Sequence, residues 1–328
     1  MSTADVTEAA ARMLGARAER DVRLAAFTTF RIGGPADLLV RANTMADVQA
    51  TAEAVAATGI DVLVIGQGSN LLIADTGWRG VVVMVGGEFE RMDVEPDHDG
   101  AIVRAGAGMK VPILARRSVA EGLTGLEWMV GVPGSVGGAV RMNAGGHGSD
   151  VAANLIDADV VNFGDGRGCL ARSVAELGFR YRHSALGPGD LVVRASFRVG
   201  TGEVSVGEEE LAEIVRWRRA NQPGGANCGS VFTNPPGESA GRLIDQLGLK
   251  GHRLGTASVS EKHANFIQAD PDGSSVDIWN LIVFVRDRVF VETGITLTPE
   301  VRTAGFDAGL PSLSFPEHSA SPSEQTAP

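Results

Sequence analysis

Two glycine-rich segments carry the strongest chemical signal in the chain. The first is Val64-Ile65-Gly66-Gln67-Gly68-Ser69-Asn70-Leu71-Leu72, at the end of an apolar run. Closely spaced glycines let successive backbone N–H groups converge as a nest that binds a pyrophosphate, with Ser69 and Asn70 adding side-chain donors. The same fragment also reads as a strand–turn–strand with a glycine bend. It is not a Rossmann fingerprint, because the third glycine is absent and the following LLIAD looks like strand, not helix. The second segment is Gly131-Val132-Pro133-Gly134-Ser135-Val136-Gly137-Gly138-Ala139-Val140-Arg141-Met142-Asn143-Ala144-Gly145-Gly146. Its glycines allow backbone to lie against a flat or anionic ligand. Its interleaved valines and methionine favour packing over the alternative of an exposed loop.

These segments need a scaffold. The sequence predicts an alanine-rich helix over 4–20. A second helix is predicted over 45–58, opened by Thr44 with Asp47 as a capping box and stopped at Gly59. Asp61–Ile65 reads as a buried strand, with further strands at 71–74, 80–85, 101–106, 156–163 and 191–199. A helix is predicted over 110–121. Gly131–Gly148 shows little periodicity and reads as a long irregular, functional segment. After about 205 the texture changes to helices over 207–220, 239–247 and a strongly apolar 275–292, closed by Gly294. Ile295–Arg302 reads as a final strand, and the Pro/Ser/Gly/Ala-rich tail from 303 as disordered.

Composition narrows the function. The net charge is −11, with no basic face or stripe beyond Arg216-Trp217-Arg218-Arg219, a run that reads as the solvated end of a helix. This argues against a nucleic-acid partner. Forty-three glycines without a collagen period imply many tight turns. Two cysteines, Cys169 and Cys228, are too few for a disulfide scaffold and fit a reducing cytosol. No metal-ligand spacing such as CxxC or HExxH occurs. The first twenty residues lack the apolar core of a signal peptide, and no stretch has the ~20 uncharged apolar residues of a membrane span, so a cytoplasmic location is expected.

Together with Thr29-Phe30-Arg31-Ile32-Gly33-Gly34-Pro35-Ala36, the two glycine segments resemble the FAD-binding half of the UDP-N-acetylenolpyruvoylglucosamine reductase (MurB) family. More of the family's pattern follows in order. Phe179-Arg180-Tyr181-Arg182-His183-Ser184 resembles its YRxS segment, and Cys228-Gly229-Ser230-Val231-Phe232-Thr233-Asn234-Pro235 its GSxFxNP segment. Val259-Ser260-Glu261-Lys262-His263-Ala264-Asn265-Phe266 resembles VSxxHAxF, and Pro299-Glu300-Val301-Arg302 the terminal PEVR. Each motif alone is modest evidence; the collinear set from about 20 to 302 is specific. The chain's only tyrosine is Tyr181. It therefore resembles the branch that lacks a separate tyrosine-bearing loop between YRxS and GSxFxNP.

The resemblance implies an enzyme of peptidoglycan precursor synthesis, hence of cell-wall biogenesis, cell shape and cell division. NADPH would give hydride to noncovalent FAD, and reduced FAD would pass it to the enolpyruvyl ether of a UDP-sugar. Charge then grows on the carbon beside the carboxylate, and the site must stabilise it and deliver one proton. The implied catalytic residues are Arg182, a planar fork for a carboxylate, Ser230, the proton donor, and Glu300, which shares a proton with the substrate acid. The implied FAD contacts are Ile65, Gly66, Gln67, Gly68, Ser69, Asn70, Leu71, Gly131, Pro133, Gly134, Ser135, Val136, Gly137, Gly138, Asn143, Ala144 and Gly145. Tyr181, Asn234, Lys250, Arg253, Lys262 and His263 are the expected substrate contacts. One departure is Asn221, where the family usually has lysine; Arg219 is a possible substitute. His147 reads as a loop histidine and not as a covalent flavin attachment.

The expected fold is α+β. After the N-terminal helix (1–20) come two FAD-binding subdomains of the FAD-linked oxidase type, 21–90 and 91–205. A substrate-binding domain, 206–302, follows, and then the tail, 303–328. Two alternatives stay open. An oxygen-using oxidase of the same superfamily would lack GSxFxNP and PEVR together. A noncatalytic flavin-binding protein would keep the glycine loops but lose the reactive trio, whereas Arg182, Ser230 and Glu300 are all present.

Overall fold

The computed structural model describes residues 2–165 and 168–306. Its first layer is a four-stranded sheet in the order Ala18–Arg23, Pro35–Ala42, Trp78–Val85, Val62–Val64, with parallel pairing at the last two junctions. Side chains alternate across it as strand geometry requires. Leu38, Val40, Val81 and Val83 face the helices Thr3–Leu14 and Met45–Thr58, whereas Leu39 and Val82 face Leu24, Ile65 and Ile73. The capping box at Thr44 and Asp47 forms, and Gly59 ends the helix with φ +68°. The N-terminal helix is shorter than expected. It stops at Leu14, Gly15 turns with φ +55°, and Ala18–Arg23 leaves the alanine-rich pattern to pair with Pro35–Ala42. Strand pairing there overrides helix propensity.

The second layer is an antiparallel sheet in the order Cys169–Ser173, Leu155–Asn162, Asp190–Thr201, Gly100–Gly106, Met92–Asp97. The strands Met92–Asp97 and Cys169–Ser173 were not expected; both are mostly exposed edges, the first carrying three acidic residues and a proline and the second no apolar alternation. Helix Val111–Ala120 packs here, and helix Val204–Asn221 adds Leu211 and Ile214 to the same core.

The segment 131–148 is not wholly irregular. It holds the helix Val136–Met142, capped by Ser135 Oγ and ended by Asn143 in the left-handed region. Val136, Ala139 and Val140 are buried at i, i+3, i+4, a spacing that Gly137 and Gly138 mask in the sequence.

The C-terminal part combines the helices Ala240–Gln246 and Ser275–Thr293 with a three-stranded sheet, Arg253–Leu254, Ala257–Val259, Ile267–Ala269. Its core is continuous with Phe30, Ile32 and Leu72 of the N-terminal layer. Asp75 fastens the long helix from the other side of the chain: its carboxylate accepts from Ser275 N at 3.1 Å and Ser274 Oγ at 2.9 Å. The expected strand at Ile295–Arg302 is displaced. Residues 295–299 are irregular apart from a bridge between Pro299 and Phe232, and the strand is Arg302–Ala304, parallel to Leu71–Ile73. Thr303 and Ala304 are thus ordered structure rather than tail, because they complete a pairing that local composition does not reveal. Phe306 packs on the C-terminal core, and the tail from 307 onward lies outside the described residues.

Candidate active site

The Gly66–Asn70 turn leaves the edge strand Val62–Val64 and returns along Leu71–Ile73. Gly68 has φ +56°, and a Cβ there would lie 2.0 Å from the Phe27 carbonyl oxygen, so only glycine fits. Among the described residues, none of the backbone N–H groups from Gly66 to Asn70 has a protein acceptor. The two glycine segments touch: Ser69 Oγ donates to Pro133 O at 3.0 Å, and a Cβ on Gly66 would meet Ser135 Oγ at 2.3 Å. Between them opens a cavity of about 730 Å³, within the usual ~300–1,000 Å³ of ligand sites.

Three chain segments close this cavity. Arg182 stands in a tight turn whose ends pair by Arg180 N to His183 O and His183 N to Arg180 O, both 3.0 Å. Arg182 itself has φ +55°, a conformation that costs a non-glycine residue about 1–2 kcal/mol. Its guanidinium donates to Gly145 O at 2.7 Å and pairs with Glu300 at 3.3 Å. Ser230 follows Gly229, which has φ +81°, and bridges to Phe266. Glu300 is fixed by its backbone, donating to Val231 O at 2.7 Å and accepting from Asn70 Nδ2 at 3.1 Å. The side chain of Asn70 thus orders the carboxylate's segment, while Arg302 N donates to Asn70 O.

Burial raises the Glu300 carboxyl above its ordinary range, and Arg182 and Arg302 pull it partly back. The Cys228 thiol, on the same wall, is also pushed up, by burial first and the Glu300 charge second, and stays neutral. Arg141, Arg182, Arg218 and Arg302 all reach the cavity, against the single carboxylate of Glu300. A chain of negative net charge therefore presents an electropositive pocket, which draws anionic ligands.

A family model for the UDP-N-acetylenolpyruvoylglucosamine reductase C-terminal domain matches residues 221–304, and one for an FAD binding domain matches 36–169. The UDP-N-acetylenolpyruvoylglucosamine reductase of Synechococcus sp. (strain WH7803) is 44% identical over 294 residues, 88% of this chain and 94% of that protein. The chain belongs to the UDP-N-acetylenolpyruvoylglucosamine reductase (MurB) family. The protein of that name from Rubrobacter xylanophilus is 38% identical over 88% of this chain and 95% of its own length. The crystal structure of MurB from Thermus caldophilus superposes with a TM-score of 0.74 at 37% identity, covering 88% of this chain and 99% of that one. The residues present fit the FAD of this family: a cavity of suitable size, a run of free backbone donors at one glycine turn, and surplus guanidinium charge.

The residues predicted for the MurB site separate into two groups. Arg182, Ser230 and Glu300 line the one cavity, as do Ile65, Gly66, Gln67, Gly68, Ser69, Asn70, Leu71, Gly131, Pro133, Gly134, Ser135, Gly138, Ala144 and Gly145. Val136, Gly137 and Asn143 do not. Val136 is core, Gly137 lies against Ala107, and Asn143 is buried with its amide bonded to protein. None of the six expected substrate contacts lines this cavity. Tyr181 is exposed, its ring 4.9 Å from the Arg182 guanidinium carbon. Asn234 accepts from Ala240 N at 3.0 Å, and Lys250 pairs with Asp245 at 2.8 Å. His263 packs edge-on against Phe266 and, mainly through burial, is held below its ordinary range. Arg253, paired with Asp270, and Lys262, donating to Arg219 O at 2.5 Å, line a second depression of about 450 Å³ that begins at Pro223.

Sequence reading missed Arg141, Arg218 and Arg302. The signal for Arg302 was available: it stands two residues after Glu300, and alternation along extended chain puts both on one side. In the run after residue 215, Arg218 reaches the cavity, bonded to Gln222 at 2.9 Å. Asn221 donates to Trp217 O at 2.8 Å and only closes its own helix. His147 is not among the cavity residues; it packs edge-on to Trp217 and against Gly131.

Proposed function

We propose that this chain reduces UDP-N-acetylglucosamine enolpyruvate to UDP-N-acetylmuramate with FAD and NADPH, in peptidoglycan precursor synthesis. The observation that carries the reading is the meeting of Arg182, Ser230 and Glu300 in one cavity with both glycine segments, in a member of this family. When bound, FAD relays hydride from NADPH to the terminal carbon of the enolpyruvyl group. Arg182 binds the substrate carboxylate with its fork. Glu300, whose raised proton affinity favours the neutral acid, donates a hydrogen bond to the same carboxylate as charge moves onto it. Ser230 Oγ gives a proton to the adjacent carbon; an alcohol serves here because that centre is a strong base and geometry is fixed.

The nucleotide is assigned to the side of the second depression. There Arg253 and Lys262 face the diphosphate, an anion suited to charge-assisted hydrogen bonds. Asn234, Lys250 and His263 belong to the same assignment, and each exchanges its protein partner for substrate. Tyr181 covers the carboxylate end beside Arg182. A cytoplasmic location is consistent with two free thiols and with the absence, among the described residues, of any helix long and apolar enough to cross a membrane.

The purified protein is expected to be yellow, to bleach with NADPH, and to regain its oxidised spectrum anaerobically on addition of the enolpyruvyl nucleotide. Ser230→Ala should slow that second step about 10²–10⁴-fold while leaving bleaching intact. An unimpaired second step in this variant would remove Ser230 as proton donor.

A further inference from the structure

The turn that presents Arg182 is laced to the segment that walls the cofactor side of the cavity. Four hydrogen bonds cross between them. Arg141 Nη1 donates to Gly187 O at 2.6 Å, and Ser184 Oγ donates to Arg141 O at 2.6 Å. Asn143 Nδ2 donates to Arg180 O at 3.1 Å, and Arg182 Nη2 donates to Gly145 O at 2.7 Å. The Arg180 carbonyl that takes the Asn143 bond is the one that closes the turn with His183 N.

Asn143 is the centre of this lacing. It is 3% exposed, with φ +40°, a conformation asparagine tolerates better than most residues. Both hydrogens of its amide go to protein, the second to Asp150 Oδ2 at 3.2 Å, and Oδ1 accepts from Ala152 N at 3.0 Å. No amide hydrogen is left to donate to a ligand, and the side chain does not line the cavity. Its backbone leads within two residues to Gly145, whose carbonyl holds the Arg182 guanidinium. One short stretch therefore fixes the arginine turn at its base and the guanidinium at its tip.

We infer that Asn143 is a positioning residue for the reduction, acting through Arg182 and not through the cofactor. The inference rests on the reaction assigned above. A guanidinium fork acts on a carboxylate only when its plane is set, and a misplacement near 1 Å costs about 10²-fold in rate. With Arg182 in a left-handed turn, the Asn143 amide anchors from outside the carbonyl on which that turn closes.

Asn143→Gly preserves the left-handed backbone and deletes the amide. Anaerobic half-reactions are measured for wild type, Asn143→Gly, Arg182→Lys and the double variant. Asn143→Gly should keep its flavin and its flavin absorbance. NADPH should bleach it at a rate within about 2-fold of wild type, while reoxidation by the enolpyruvyl nucleotide falls about 10–100-fold. In the Arg182→Lys background the same substitution should cost less than about 3-fold, because residues acting as a unit are not additive. Full additivity, equal slowing of both half-reactions, or unimpaired reoxidation would overturn the role. Ser184→Ala, which cuts a neighbouring bond of the lacing without a backbone demand, should repeat the pattern if Asn143→Gly does not hold flavin. Loss of flavin in both variants would assign these residues to the cofactor cleft and overturn the inference. A wild-type protein that bleaches but is not reoxidised by the nucleotide would instead sink the reaction assignment, and this role with it.

Discussion

Glu300 combines the two features that the proposed reaction uses: a carboxyl whose proton affinity is raised and a guanidinium beside it. Burial raises its proton affinity, and the Arg182 and Arg302 charges oppose that rise without cancelling it. The sign for stability follows. A folded-state pKa above the unfolded value means the fold holds this proton longer, so the contribution is present below about 4.5 and is lost as pH rises through the raised value. Glu300→Gln does not titrate. The melting temperature of that variant relative to wild type should therefore climb as pH goes from about 4 toward neutrality. A difference that stays flat across this range would show a carboxyl that ionises normally. The same substitution should slow anaerobic reoxidation more than bleaching by NADPH, since Glu300 faces the substrate acid in the proposed reaction.

At the scale of elements, the site depends on a few pairings between distant segments. Gly68 sits so close to Phe27 that a methyl group would lie 2.0 Å from its carbonyl oxygen, at a positive φ. Gly68→Ala should open the turn that lines the cavity, destabilise the fold by more than ~1 kcal/mol, and lower the flavin content of the purified protein. Asp75 caps the helix Ser275–Thr293 from across the chain. Removing a cap of this kind costs about 0.5–2 kcal/mol. Asp75→Ala should show that loss as a lower denaturant midpoint with an unchanged slope. Of the elements, the helix 45–58 and the long C-terminal helix were legible, because Thr44, Asp47, Gly59 and Gly294 mark their ends. The helix Val136–Met142 was hidden by its own glycines, and the strand Arg302–Ala304 by its distance from its partner Leu71–Ile73.

At the scale of the molecule, the C-terminal core and the N-terminal layer share one apolar cluster through Phe30, Ile32 and Leu72. Helix Val204–Asn221 instead packs on the helix Val111–Ala120 and the turn at 127–131, in the core of the antiparallel layer. The cavity is walled by both bodies, so a bound flavin ties them together. Saturating FAD should raise the melting temperature of stripped protein, by an amount near 2.7 kcal/mol of stability at a hundredfold excess over Kd. A melting temperature indifferent to FAD would mean that the cavity is not its site. Four guanidiniums against one carboxylate should also make the affinity of this cavity for FAD fall with added salt.

The sequence by itself determined the glycine turns, the capped helices and the family, because each is written in short local patterns or in their order along the chain. It also named Arg182, Ser230 and Glu300 through that order. The tertiary structure alone decided that Asn143 and Gly137 face inward to the protein, that Arg141 and Arg218 charge the cavity, and that Arg253 and Lys262 line a different depression. Those outcomes depend on where a side chain points and on what a segment far along the chain places opposite it. Local spacing fixes the first only within one element and says nothing of the second.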